Sequence, residues 1–299
     1  SLNSHISYYE DVTGELSFDE LVALQSRGGL KENASSTLSF GFSESVYWVR
    51  TSFSFSDDIV AENWILSLDY APLKYVELFV KKEDGTTHIV SGTSQPFDAR
   101  PVQYRNFVYP LKNSADTEYE IWLRVASDSA IQIPLSLWPA QKYFEYETTS
   151  SSGWGVFFGI LGALTLYNFF LFVSVRDKAY LYYVLYLIGL SGVVLFLNGQ
   201  GFQFMWTNHE RWNQYALLTF TCFAIFWALQ FCRAFLETKK LIPVFDNVIL
   251  GMMTFSVILA FLGFFGVDIS LPKMAGSIAA LFTVIVLISG LKVLKRGSP

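Results

Sequence analysis

The chain contains two Trp-x-Arg steps, one at Trp48 and Arg50 and the other at Trp122 and Arg124. Each lies in a stretch whose apolar residues alternate with polar ones, the period of a β-strand with one buried face. The tryptophan and the arginine of each step therefore share the face that should be in solvent. An aromatic ring beside a guanidinium group can stack on a sugar and hold its hydroxyl, carboxylate or phosphate groups.

Two interpretations of this face are open at the level of sequence. In the first, Trp48, Arg50, Trp122 and Arg124 bind a ligand on a concave sheet, with Arg105 as a fifth member. In the second, they are cross-strand neighbours that stack as cation–π pairs, worth about 0.5 to 1 kcal/mol at an exposed site. A helix near the amino terminus is an alternative cover for the same residues.

Charge divides the chain into two regions at about residue 150. Residues 1–150 contain 11 Lys and Arg against 21 Asp and Glu, whereas residues 151–299 contain 10 against 5. The second region is also the apolar one. The composition therefore predicts two domains, 1–150 and 151–299, of which the second is a membrane region.

Five apolar runs in the second region are each about the 20 residues that a helix needs to cross a bilayer. We predict spans at 154–175, 179–197, 213–236, 247–266 and 272–291. Lys and Arg accumulate in cytoplasmic loops. Eight of them, from Arg176 to Arg296, cluster after the first, third and fifth spans, whereas Arg211 and Lys273 lie on the other side. This asymmetry predicts that residues 1–150 lie outside the cytoplasm and that the chain ends inside it.

The first region has the pattern of an all-β domain with a short helix near its start. Ser17 and Glu20 form a capping-box pattern ahead of apolar residues, which predicts that helix. Seven strand-like runs follow, and turn residues such as those around Gly85 separate them. We expect a β-sandwich or jelly roll. The runs are 46–55, 63–70, 73–81, 86–90, 105–111, 118–127 and 131–138.

Residues that could do other chemistry are scarce. The three histidines lie far apart in sequence, and Cys222 and Cys232 share one predicted span, so no metal-ligand spacing is present. No nucleophile motif, phosphate-binding loop or paired-cysteine motif occurs. We expect no cofactor, no metal, no nucleic-acid partner and no catalytic activity in this chain.

Residues 167–206 resemble the bacterial 7TMR-DISM receptors, seven-transmembrane receptors with diverse intracellular signalling modules. The resemblance is carried by an asparagine late in the first span, an Arg-Asp turn, a tyrosine-rich second span and an N-G-x-G loop. The outer region is similar to the family's type 2 extracellular domain, a carbohydrate-binding-module-like jelly roll, in its Tyr8–Asp11 opening and its Y-W-x-R strand. The matching positions are Asn168, Arg176, Asp177, Tyr180, Tyr182, Tyr183, Asn198, Gly199, Gln200 and Gly201.

The resemblance implies a sensory receptor in a bacterial inner membrane. Its periplasmic domain is expected to bind a small, carbohydrate-like ligand or a partner protein, and the protein to contact lipid and to pair with a partner receptor or with itself. Asn168 serves either to bond across helices or to switch. Arg176 and Asp177 either anchor a helix end or sense rotation of the bundle, and Asn198 and Gln200 belong to the same signalling set.

The pattern of the family calls for seven spans and then a cytoplasmic output module such as a kinase or cyclase. Five predicted spans imply that the sequence is truncated and that the output module lies beyond residue 299. A transporter or assembly factor whose outer domain docks a partner is the alternative. We rank it lower because no charged residue is placed near the middle of a predicted span.

Overall fold

The computed structural model describes residues 6–33, 38–55, 63–82, 85–112, 118–265, 280, 282–288 and 290. The chain divides into two compact units. The first consists of Ser1–Thr149 together with Leu197–Gln214, and the second of Ser150–Phe196 together with Tyr215–Pro299. The first unit therefore includes residues 198–212, which the sequence places between the second and third predicted spans.

The first unit is built on eleven described strands. Their bounds are β1 Ile6–Asp11, β2 Lys31–Glu32, β3 Leu38–Gly41, β4 Val46–Ser54, β5 Trp64–Leu68, β6 Tyr75–Lys82, β7 Gly85–Ser91, β8 Phe107–Leu111, β9 Glu118–Ala126, β10 Ile131–Ile133 and β11 Leu135–Pro139. The seven predicted strands are confirmed, with ends that differ by at most two residues. The last predicted strand, 131–138, is divided into β10 and β11 at Pro134, because proline has no N–H to donate to a β-ladder. β1, β2 and β3 have no counterpart among the predicted strands.

The strands form a sandwich. One sheet has six strands in the order β2-β1-β4-β9-β6-β7, a second has the order β11-β5-β8, and β10 pairs with β3. Every pairing is antiparallel. β6 and β7 are joined as predicted near Gly85, which pairs with Lys82, although positions 83 and 84 lie outside the described residues.

The core lies between the six-stranded sheet and the shorter sheets. Alternate residues of each strand point into it, so that Tyr47 and Val49 of β4 pack with Leu66 and Leu68 of β5. These side chains are at most 5% exposed. Fully burying each one contributes about 1.5 to 3 kcal/mol, which makes this cluster the main source of stability of the sandwich.

A short helix, α1 at Phe18–Gln25, covers the outer face of the six-stranded sheet. The predicted capping box is confirmed: the Ser17 side chain accepts from the Glu20 backbone, and the Glu20 carboxylate accepts from Ser17 N at 2.9 Å. Leu21 is the buried residue of the helix and packs on the sheet. An N-cap of this kind is worth about 1 kcal/mol, so the cap fixes where α1 begins.

The remaining helices are α2 Ala140–Val175, α3 Lys178–Leu197, α4 Glu210–Phe235, α5 Thr238–Leu241 and α6 Pro243–Phe264. Among the described residues, four of them are long and apolar enough to cross a membrane, namely α2, α3, α4 and α6. They correspond to the first four predicted spans. The fifth, 272–291, falls largely outside the described residues, although 282–288 are helical.

Helix α2 begins fourteen residues before the predicted first span. Residues 140–153, which connect the last strand to the predicted first span, are helical throughout. The hydroxyls of Thr148 and Thr149 donate to carbonyls one turn earlier, at Phe144 and Glu145, so polar side chains are accommodated within the helix. At about 1.5 Å per residue, the 36 residues of α2 span about 54 Å, which exceeds the about 30 Å of bilayer hydrocarbon. Part of α2 therefore lies outside the membrane.

Candidate functional site

The two Trp-x-Arg steps face each other across adjacent strands. In the β4–β9 ladder Trp48 lies opposite Arg124, and Arg50 lies opposite Trp122. The Arg124 guanidinium is 5.9 Å from the Trp48 ring centre, and that of Arg50 is 5.7 Å from the Trp122 ring centre. Each arginine therefore stacks on the tryptophan of the other step, as the cation–π interpretation predicts.

Helix α1 covers both tryptophan rings. Trp48 is 1% exposed and Trp122 is 0% exposed. Phe18 of α1 lies edge-on to Trp122, with ring centres 6.0 Å apart, and Leu21 packs in the same cluster. The expectation that these rings present an open platform to a ligand does not fit this geometry, because large apolar surfaces are removed from water here by the helix.

The two arginines of this face are held by carboxylates. Arg50 Nε donates to Glu120 at 2.7 Å, and Arg124 Nη1 donates to Glu77 at 2.7 Å. Burial would raise the pKa of Glu120, but the hydrogen bonds from Arg50 and Lys81 outweigh it and lower that pKa overall. Both guanidinium groups are therefore bound by carboxylates of the sheet, and a ligand-binding role for them stays a prediction.

Arg105, the fifth predicted binding residue, lies elsewhere, on the outer face of the β11-β5-β8 sheet. There the first turns of α2 pack on the sheet through Tyr143, which contacts Ile65 and Val108. Arg105 Nη2 donates to Glu147 Oε2 at 2.9 Å, and the two side chains are each 7% exposed. Glu147 is thus a buried carboxylate that ties the start of α2 to the sandwich.

We call the polar residues at this contact the junction cluster: Asp69, Tyr104, Arg105, Tyr143 and Glu147. The Tyr104 hydroxyl donates to Glu147 and accepts from Arg105 Nε at 3.1 Å. Burial would lower the pKa of Arg105, but the hydrogen bond and charge of Glu147 raise it overall. Among the described residues, the buried Tyr143 hydroxyl has no hydrogen-bond partner. The cluster therefore holds two carboxylates against one arginine.

Asp69 is the more weakly held carboxylate of the cluster. Its oxygens accept from Ser67 Oγ at 3.3 Å and from Asn106 Nδ2 at 3.2 Å, both neutral donors. Burial, followed by the nearby charge of Glu147, raises the pKa of Asp69 to about 6. Its environment therefore favours the protonated form of this carboxyl group more than that of an ordinary aspartate.

The N-G-x-G loop packs on the sandwich beside Arg105. Asn198 Oδ1 accepts from Gln200 N at 3.0 Å, and the two side chains also bond at 3.2 Å. This turn places Gly199 at φ +76°, where a Cβ would lie 2.7 Å from Ala71 Cβ and 2.8 Å from Arg105 O. Only glycine combines this positive φ with the absence of a Cβ. The structure therefore brings Asn198 and Gln200 close to Arg105, and away from the Trp-x-Arg face.

Arg100, which is not among the predicted site residues, completes this contact. Its Nη1 donates to the carbonyl of Tyr104 at 2.7 Å and to that of Arg105 at 2.9 Å. The guanidinium lies 4.6 Å from the Phe107 ring centre and 5.6 Å from that of Phe202, in the loop. Burial lowers the pKa of Arg100 to about 10, so it stays charged at neutral pH.

The predicted signalling residues of the membrane unit make local contacts. Asn168 Nδ2 donates to Leu164 O one turn earlier in α2, at 2.8 Å, so the described contact is within its own helix. Asp177 Oδ1 accepts from Ala179 N at 2.8 Å and caps the start of α3. Arg176 has a φ of 61° in the turn between α2 and α3. The helix-end interpretation of the Arg-Asp pair fits these bonds, and a sensing role stays a prediction.

A second ionic cluster joins α4, α5 and α6. Arg233 donates to both carboxylate oxygens of Asp246, at 2.8 and 3.0 Å. Thr238 Oγ1 donates to the same carboxylate at 2.7 Å, and Arg233 also bonds Gln230 at 3.2 Å. Asp246 is 4% exposed. This bidentate pair fixes the end of α4 against the start of α6.

The comparisons with known proteins agree with this architecture. The family model described as 7TMR-DISM extracellular 2 matches residues 3–139. The model described as 7TM diverse intracellular signalling matches residues 150–299, half of the chain. No curated protein matches the chain. The two models correspond to the sandwich and to the helical membrane region, in the order that the resemblance implies. The chain therefore belongs to the 7TMR-DISM family of membrane receptors and combines the family's second type of extracellular domain with its membrane domain.

Proposed function

We propose that this protein is a bacterial inner-membrane sensor whose sandwich lies in the periplasm and passes its state to the cytoplasm through α2. A small ligand, carbohydrate-like in chemistry, or a partner protein favours one arrangement of the sandwich over another. A ligand without such a preference would shift no equilibrium. The chain itself performs no catalysis in this account, and an output module such as a kinase or cyclase receives the signal.

The observation that carries the proposal is the attachment of α2. The Arg105–Glu147 pair is buried in the sandwich unit, and α2 continues without interruption from Ala140 to Val175. A helix is stiff along its axis, so a movement imposed at Glu147 is carried along the following turns. The N-G-x-G loop reaches the same place through Gly199, and it gives the sandwich a second connection to the membrane helices.

The position of α1 bears on where the proposed ligand binds. The Trp-x-Arg face lies under α1, so a sugar that stacks on Trp48 or Trp122 must first displace that helix. The proposed ligand therefore either binds elsewhere on the sandwich or acts by moving α1. A partner receptor or a second copy of this chain is a further proposed partner, and membrane lipid surrounds the spans.

The orientation is tested by labelling single cysteines in a chain whose two native cysteines are replaced by alanine. Thr87→Cys lies on the exposed strand β7, and Lys240→Cys lies in α5 between two spans. We expect a membrane-impermeant maleimide to label residue 87 in cells with a permeabilised outer membrane. Residue 240 should react only after lysis. The reverse pattern would place the sandwich in the cytoplasm and defeat the proposal.

Transmission is tested with a diguanylate cyclase joined to the carboxyl end as a reporter. Insertion of two glycines after Ser151 rotates the later turns of α2 by about 200° relative to Glu147. We expect this insertion to change cyclic di-GMP production. The matched control is the same insertion between Gly28 and Gly29, in the turn after α1. Output that is the same in both variants as in the parent fusion would refute transmission through α2.

A further inference from the structure

Two acidic side chains compete for one arginine at the start of α2. Glu147 accepts from Arg105 and Tyr104, so the guanidinium and the phenol are already engaged with one carboxylate. Asp69 interacts with the same arginine and with Glu147 electrostatically but receives its hydrogen bonds from neutral groups. With both acids ionised, the cluster carries one uncompensated negative charge in a poorly solvated place.

The groups around Asp69 determine how a proton on its carboxyl group would be bound. β5 presents Ser67, the segment before β8 presents Arg105 and Asn106, and α2 presents Tyr143 and Glu147. The backbone N–H of Asp69 donates to Pro134 O at 3.3 Å. An ionised Asp69 can only accept, whereas the neutral acid gains an O–H donor. The Tyr143 hydroxyl, which has no hydrogen-bond partner among the described residues, and the Glu147 carboxylate both interact electrostatically with Asp69, and each is able to accept a hydrogen bond.

We propose that Asp69 and Glu147 form a proton-binding site, in which uptake of one proton by Asp69 strengthens the attachment of α2 to the sandwich. The proton comes from water and remains on the carboxyl group, which changes the cluster from one net negative charge to none. As a route to regulation this inference rests on the proposed function, because it assumes that α2 carries the signal. Proton binding itself does not depend on that role.

The direction of the effect follows from linkage. Asp69 has a pKa of about 6 in the folded protein against 3.8 for an ordinary aspartate, so the folded state holds this proton about a hundredfold more tightly. The protonated cluster is therefore the more stable one. The extra free energy of unfolding that Asp69 contributes is fully present below about pH 4 and is lost as the pH rises through 6. A periplasm that follows the acidity of the medium would cross this range.

The test is an infrared titration of the full chain in lipid nanodiscs, which follows the carbonyl stretch of protonated carboxylic acids. We expect a band that titrates near pH 6 and is missing in Asp69→Asn. The matched control, Asp128→Asn, changes an aspartate with a 60% exposed side chain that pairs with Lys74, and it should keep the band. A band that survives in Asp69→Asn, or titration near pH 4 only, would overturn the proposal.

A second variant tests the coupling between the two acids. Glu147→Gln removes the charge that helps to raise the pKa of Asp69, so the midpoint of the band should move to lower pH. An unchanged midpoint would show that Asp69 titrates alone and that the two do not form one site. Asp69→Asn should also flatten the fall in thermal midpoint that we expect in the wild type between about pH 4 and pH 6. A fall of the same size in Asp69→Asn would contradict the assignment.

These readouts separate this inference from the proposed function. If a proton binds near pH 6 but the α2 insertion leaves the output of the cyclase fusion unchanged, the proton-binding site is supported and its role in signalling is refuted. An insertion that changes output, together with no titration at Asp69, would keep the receptor mechanism and overturn the proton site.

Discussion

Breaking the Arg105–Glu147 pair from one side should destabilise the sandwich strongly. Both side chains are 7% exposed, so Arg105→Met or Glu147→Leu leaves the other charge buried without its main partner. Removal of one member of a buried ion pair costs about 3 to 5 kcal/mol. For a unit of this size that corresponds to a fall of about 10 °C in the thermal midpoint. The double variant removes both charges and should cost much less than the sum of the two single changes.

The assay is thermal unfolding of the full chain in micelles, followed by tryptophan fluorescence. Arg50→Met and Glu120→Leu are the matched control on the other face of the sandwich, where the paired side chains are 24% and 18% exposed. This pair is more accessible to water than the junction pair, and Lys81 is a second partner of Glu120, so the control should shift the midpoint less. Equal shifts at the two sites, or strictly additive costs at the junction, would refute the reasoning.

Three further changes test other contacts. Leu21→Ala should lower the free energy of unfolding by about 2 to 4 kcal/mol and make the tryptophans under α1 more accessible to acrylamide. Unchanged fluorescence quenching would show that α1 does not cover them. Gly199→Ala should lower the thermal midpoint, because the added Cβ would contact backbone at a position with positive φ. The control Gly153→Ala, whose Cβ would have no atom within 4 Å, should leave the midpoint unchanged. Equal midpoints in the two variants would contradict this. Arg233→Ala leaves the carboxylate of Asp246 buried without its cation and should reduce the yield of folded protein in gel filtration, which Arg233→Lys should partly restore.

The architecture was largely predictable from sequence because it follows from periodicity and composition. Alternation located seven strands, the Ser17–Glu20 pattern located α1, and apolar length located four described spans. The short strands β2 and β3 were missed because two or four residues are too few to show a period. The early start of α2 is not evident from sequence because serine, threonine and glycine near residue 150 are typical of loops, although serine and threonine hydroxyls can bond within a helix.

The site was less predictable because it depends on which sheet face each helix covers. Trp48 and Trp122 carry the strongest pattern, but alternation along a strand does not show that α1 packs on both rings, and their ligand-binding role stays a prediction. Glu147 was missed since nothing in its sequence neighbourhood links it to Arg105, forty-two positions away. Its spacing of four residues from Tyr143 was a usable signal, because residues four apart share one face of a helix.

The central claim is that the state of the sandwich reaches the membrane helices through the start of α2. The most direct measurement is the distance between spin labels at positions 174 and 240, by pulsed electron resonance in nanodiscs, in chains with the native cysteines replaced. We predict that Glu147→Gln changes the distance distribution, whereas Glu120→Gln on the other face of the sandwich leaves it as in the parent. Folded protein whose distribution is identical in all three chains would contradict the account.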